Sequence, residues 1–275
     1  MRVGFAQINP TVGDFGGNTS TILSAYTALV KEGADVVLTP ELALPGYPPL
    51  DLLFKSTFVP RNLAALDALH AQVGEIPLLI GYARTEETLY DRPTAEKLGL
   101  DEAGLQKRVS NRIGGDPARV ISAFRTAHPE ATPWDLWILI ATDHPRGTYS
   151  RELAKRKAEQ RSAPAFAYRY DWETPEGGGH MRSPHTVEIQ FVFNNITIAG
   201  PLISKMKEAY ALAEKTSAAW VAFARTGDPN TSTLPQWPAY SAASRDTMLF
   251  NNDCRVVSDP DRGPRTAMEQ VLKLS

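Results

Sequence analysis

The sequence predicts an α/β fold, with a mainly parallel sheet and helices on both of its faces. Three observations predict it. Short apolar, β-branched runs stand at residues 2–8, 34–40 and 76–82, with helix-like stretches between them. From Asp91 to about Gln160, apolar residues recur at three-to-four spacing, the period of packed helices. Further strand-like runs come after that region.

The elements follow in order. RVGFAQI, Arg2–Ile8, reads as a short buried strand, and Gly13, Gly16, Gly17 and Asn18 mark the loop after it. Thr19 or Ser20 is placed to cap a helix that runs to about Glu32. ADVVLTP, Ala34–Pro40, is a second strand, because its β-branched run disfavours a helix. Arg61–Val73 is rich in Ala and Leu and reads as helix, and IPLLIGY, Ile76–Tyr82, as a third strand. This β-α-β-α-β order favours one parallel sheet. Asp116-Pro117 and Thr132-Pro133 read as helix starts. FAYRYDWE, Phe166–Glu173, is strand-like again, and PHTVEIQFVF, Pro184–Phe193, reads as an extended apolar run with His185 at its mouth. A long helix is expected over about Ile203–Arg225. A hairpin is expected in TMLFNNDCRVVSDP, turning at Asn251-Asn252-Asp253.

Composition narrows the function. A net charge of −2 on 275 residues gives no reason to expect a nucleic-acid partner. No apolar run reaches the roughly 18 residues of a membrane span. The start MRVGFAQINP lacks the basic-then-apolar pattern of a secretory signal, so a cytoplasmic location is expected. One cysteine, Cys254, excludes an internal disulfide and any multi-cysteine zinc site, and no cofactor or metal is expected.

Two stretches carry family resemblances. RVGFAQINPTVGDFGGN followed by ADVVLTPELALPGYPPLDLL resembles the glutamine-amidase domain of NAD synthetase, of the nitrilase (carbon–nitrogen hydrolase) superfamily. That resemblance covers residues 1–75 and implies a nitrilase-like β-α-β start with Glu41 as general base. A carboxylate at the end of a buried strand, framed by apolar residues, has the raised pKa that base work needs. Residues 76–275 resemble the C-terminal part of a type B carboxylesterase, an α/β-hydrolase. IPLLIGYARTEETLY, RYDWETPEGGGHMRSPHTVEIQFVF, WVAFARTGDPN, WPAY and TMLFNNDCRVVSDP carry it. It implies that Glu86 is the triad acid and His185 the triad histidine, acting on a small carboxylic ester.

The residues support that pairing. Glu86 would hold one ring nitrogen of His185, and the other nitrogen would take the proton of a nucleophile. Their separation, 185 − 86 = 99 residues, suits two strand-end loops of one sheet, and acid before histidine is the α/β-hydrolase order. Glu87 stands open as the alternative acid, and the register of ARTEETL favours Glu86.

The partners of both sites are missing. No serine is flanked as in G-x-S-x-G, and no glycine-rich oxyanion loop precedes one. The amidase resemblance demands a lysine and a cysteine nucleophile after Glu41. Lys107 lies within a helical pattern, and Cys254, beside Arg255, lies in the esterase-like hairpin and reads as structural. The two resemblances abut near Gly74–Gly81, and the chain reads as a chimera. An incomplete α/β-hydrolase sheet would leave edges or apolar faces open, which favours a homo-oligomer. Trp134, Trp137, Phe191 and Phe193 are expected in the core rather than in an acyl pocket.

Overall fold

A computed structural model describes residues 2–34, 36–40, 42–49, 52, 55–73, 77–203 and 205–273. It divides into two compact units, Met1–Ile76 with Ala224–Asp228, and Pro77–Phe223 with Pro229–Ser275.

In the first unit, β1 (Val3–Phe5) pairs in parallel with β2 (Val36–Leu38), joined by α1 (Phe15–Lys31), and α2 (Phe58–His70) follows. The cap of α1 is Asp14, whose Oδ1 accepts from the Gly17 amide at 3.0 Å. Thr19 and Ser20 therefore lie inside the helix, and the Thr19 hydroxyl donates back to the Phe15 carbonyl at 2.7 Å. The helix tolerates Gly16-Gly17 in its first turn because a carboxylate satisfies the free amide there. Buried Asn18 ties the unit together: its Oδ1 accepts from the Thr11 amide at 2.8 Å, and its Nδ2 donates to the carbonyls of Thr11 and Leu44 at 2.8 and 2.9 Å.

The second unit starts with β3 (Leu78–Ala83) and two single helical turns, α3 (Glu87–Tyr90) and α4 (Ala95–Leu98). Then come α5 (Glu102–Ile113), α6 (Pro117–Ala127) and α7 (Pro133–Thr142). A kinked turn, Asp143–Gly147, leads into α8 (Thr148–Gln160) and β4 (Ala165–Tyr170). After α9 (Ile189–Val192) and α10 (Lys207–Thr226), β5 (Asp246–Phe250) and β6 (Arg255–Ser258) form the hairpin, and α11 (Arg262–Leu272) closes the chain. Helices α6 and α7 begin where the Asp-Pro and Thr-Pro pairs stand. Thr132 and Asp135 form a reciprocal capping box around the start of α7.

The sheet of this unit runs β3-β4-β5-β6, parallel across its first two pairings and antiparallel at the last. The expected single sheet through the first three strands does not form. The described strands make two sheets, because β3 matches β4 over six residue pairs, Leu78↔Ala165 to Ala83↔Tyr170. β1 and β2 are three-residue strands whose Phe5 and Leu38 lie exposed, so their apolar runs did not mark a buried strand. One position fixes the β3–β4 approach. A Cβ on Gly81 would lie 2.2 Å from the Tyr168 carbonyl oxygen. Gly81→Ala is expected to destabilise the protein by about 1–3 kcal/mol as overpacking, read as a lower urea midpoint.

Two large apolar clusters, and a smaller one of Ala154, Ala165, Ala167 and Tyr240, fill the unit. Tyr170, Trp172, Phe191, Trp237 and Phe250 pack between the sheet and α10, and Leu105, Phe124, Trp134, Ile140 and Met268 pack among α5, α6, α7 and α11. The run Pro184–Phe193 departs from its expected strand, being a turn followed by α9. Val187, Ile189, Phe191 and Phe193 alternate like a strand. Only Val187 and Phe191, four apart, are buried, which is a helical face. Phe193 is 72% exposed, whereas Trp134, Trp137 and Phe191 lie in the core. No described helix is long and apolar enough to cross a membrane.

Candidate active site

The parallel pairing of β3 and β4 brings their C-terminal ends together at Ala83 and Tyr170. Glu86 lies in the turn just beyond β3. The chain after β4 loops outward and returns to that turn with Ser183 and His185.

Short polar links weld the two segments. The Thr85 amide donates to the Ser183 carbonyl at 3.1 Å, and the Ser183 amide donates to Thr85 Oγ1 at 2.8 Å. Ser183 Oγ donates to the Tyr170 carbonyl at 2.7 Å, so this buried hydroxyl is engaged. Thr88 Oγ1 lies 2.8 Å from the carbonyls of both Thr85 and Met181. Threonine and serine serve here because a short side-chain hydroxyl can substitute for a backbone partner in a buried turn.

Glu86 and His185 meet within that frame. His185 Nδ1 is 2.8 Å from Glu86 Oε2. Glu86 Oε1 accepts from the Ala83 amide at 2.9 Å, and Arg146 Nε stands 2.9 Å from Oε2. The Glu86 side chain is 7% exposed and that of His185 36%, so the acid is enclosed and the imidazole opens to solvent. A carboxylate on Nδ1 fixes the tautomer in which Nε2 is the basic nitrogen. Tyr90 packs against the imidazole at 5.5 Å between ring centroids, and Arg146 lies 4.9 Å over the Tyr90 ring.

Glu87 turns elsewhere. Its Oε2 meets Arg146 Nη1 at 3.0 Å and Arg112 Nη2 at 3.4 Å, and it makes no described contact with His185. Sequence reasoning did not find Arg146, Tyr90 or Glu188. Burial pushes the Glu188 carboxyl up, and the Glu86 charge adds to that. Its Oε2 is buried without a hydrogen-bond partner. Tyr90 and Glu188 stand inside the stretches that carry the esterase resemblance, but nothing in their spacing marks them, and Arg146 stands in no such stretch.

Among the described residues no serine hydroxyl hydrogen-bonds His185. Glu41 lies outside the described residues. Lys107 is exposed on α5. Cys254 is buried in the β5–β6 hairpin, where its thiol contacts the Asn251 carbonyl at 3.2 Å and burial pushes its pKa up. The thiolate is therefore disfavoured, and neighbouring Arg255 is not among the charges acting on it. No group of three or more metal-ligating side chains is clustered among the described residues.

This acid–histidine pair at the ends of parallel strands is the kind of site that α/β-hydrolases carry. The carboxylesterase family model matches residues 134–267, and the carbon-nitrogen hydrolase model matches 2–96. Glu86 falls in the second match and His185 in the first. The chain is 26% identical to para-nitrobenzyl esterase of Bacillus subtilis over 69% of its own length and 37% of that protein. It is 35% identical to glutamine-dependent NAD(+) synthetase of Thermotoga maritima over 40% of its own length and 19% of that protein. The solved carboxylesterase EST55 of Geobacillus stearothermophilus superposes with a TM-score of 0.64 at 27% identity, covering 90% of this chain and 54% of that one. The chain thus combines carboxylesterase-like and carbon–nitrogen-hydrolase-like sequence, and its length is a fraction of each protein it resembles.

Proposed function

We propose that the chain is a carboxylesterase-like hydrolase of small carboxylic esters, impaired because its sequence carries no G-x-S-x-G nucleophile. The observation that carries this reading is the 2.8 Å contact between Glu86 Oε2 and His185 Nδ1 beside an imidazole open to solvent. In this reading His185 Nε2 takes a proton from water, the resulting hydroxide adds to the ester carbonyl, and the alcohol leaves with the proton. Without a serine there is no acyl-enzyme, and the rate falls by orders of magnitude from that of a full triad.

The test is turnover of p-nitrophenyl acetate alongside labelling with a fluorophosphonate. The expected result is slow, linear release of nitrophenol with no burst, and no labelled serine. A burst, or one stoichiometrically labelled serine, overturns the water mechanism. No release above buffer overturns the hydrolase reading in favour of a catalytically silent scaffold. The second alternative, a glutamine amidase fragment, rests on the likeness of residues 2–96 alone. The buried, thiol-form Cys254 does not support it.

A further inference from the structure

A second polar site lies apart from the Glu86–His185 pair. Where β3 ends against α7, a cavity of about 210 Å³ opens. Ala131, Trp134, Ile138 and Leu139 form its apolar wall, and neither Glu86 nor His185 lines it. Two guanidinium groups reach it. Arg182 is already held, by Asp135 at 3.0 Å and Glu173 at 3.3 Å.

Arg84 is the other, and its situation differs. It is half-buried, and its Nε is buried with no hydrogen-bond partner. Its Nη2 lies 3.4 Å from His128 Nδ1, a long contact to a neutral-type acceptor. No carboxylate lies within ion-pair distance of it among the described residues. The acid in reach of its field, Asp261, is engaged directly by Arg169. Burial, then the Arg84 charge, holds His128 below the usual histidine range, and its Nε2 lies 3.8 Å from Asp261 Oδ1. Glu130 at the rim is exposed, and its repulsion of an anion is screened by water.

A half-buried guanidinium that no carboxylate neutralises among the described residues, beside an apolar wall, is suited to a carboxylate with a hydrophobic tail. The planar fork matches the carboxylate, and the tail displaces poorly held water from the wall. We infer that this cavity binds a small monocarboxylate with an aryl or short alkyl tail, anchored through Arg84. The inference concerns binding alone and stands whether or not the chain hydrolyses esters.

The experiment is titration of the whole chain with benzoate, followed by saturation-transfer NMR and calorimetry in a buffer free of carboxylates. The expected result is one saturable site with a Kd of about 1 mM or tighter. Benzyl alcohol, which keeps the ring and loses the charge, and inorganic phosphate, which keeps the charge and loses the ring, each bind at least about tenfold more weakly. Arg84→Gln weakens benzoate by at least about tenfold. Leu139→Trp leaves the guanidinium in place, fills the cavity and removes binding. This second variant keeps the test decisive if Arg84→Gln disturbs the turn that follows β3. Failure to saturate by about 10 mM overturns the proposal. Equal affinity for benzyl alcohol, or an unchanged Kd in folded Leu139→Trp, overturns it too.

Discussion

His185→Ala is expected to remove the slow hydrolysis of p-nitrophenyl acetate, a fall of about 10²–10⁴-fold toward the buffer rate. Among the described residues, the imidazole is the basic group of the site that is both oriented and open to solvent. Nδ1 is committed to Glu86 at 2.8 Å, which leaves Nε2 as the proton acceptor. Glu86→Gln should fall in the same direction. The amide would no longer stabilise the imidazolium that forms in the transition state, and it offers Arg146 no charge partner. Glu87→Gln is the control, because Glu87 faces Arg146 and Arg112, and it should retain most of the turnover. Comparison of the three variants with the parent at fixed substrate decides the matter. If His185→Ala hydrolyses at the parent rate, the base lies elsewhere.

The second large effect concerns stability. Arg169 on β4 is 5% exposed. Its Nε and Nη2 meet the two oxygens of Asp171 at 2.5 and 2.7 Å, and its Nη1 meets Asp261. Removing Asp171 takes away two of the three charge-assisted contacts and leaves the buried guanidinium compensated by Asp261 alone. Asp171→Ala is therefore expected to cost about 3–5 kcal/mol, measured by urea unfolding. The replacement of all three residues by apolar ones of similar volume should cost far less, since the pairing mainly repays its own desolvation.

Acid sensitivity follows from the same cluster. Burial alone would raise the Asp261 pKa, but Arg169, Arg84 and His128 outweigh it and hold the carboxyl below its usual range. A depressed folded-state pKa contributes stability that is present above the unfolded value of about 3.9 and is lost as pH falls through the folded value. Asp261→Asn should flatten the loss of stability below about pH 4 while lowering stability at neutral pH.

Much of the fold could be read from the chain. Asp-Pro and Thr-Pro starts located α6 and α7 because a fixed proline φ and a side-chain cap act locally. The stretch Pro184–Phe193 was misread because period-two alternation signals a strand only when alternate residues share a buried face. Here Ile189 and Phe193 face solvent. β3 was legible as a strand but not its partner, since pairing with β4 depends on contacts more than 80 residues distant, such as Leu78 with Ala165. The pairing of Glu86 with His185 was legible through motifs. Arg146 reaches Glu86 from a kinked turn between α7 and α8, and Thr85 meets Ser183 across a long loop. Such contacts carry no periodic or spacing signal.

The reciprocal links between Thr85 and Ser183 have a dynamic consequence. The amides and hydroxyls of Thr85 and Ser183, with the carbonyls of Ser183 and Tyr170, bond one another, and Thr85 and Ser183 are buried. Exchange of the Thr85 and Ser183 amides with deuterium is thus coupled to a single opening event rather than to independent fraying. The acid and the histidine ride on the two sides of that seam. Opening of the seam would therefore part the acid from the histidine.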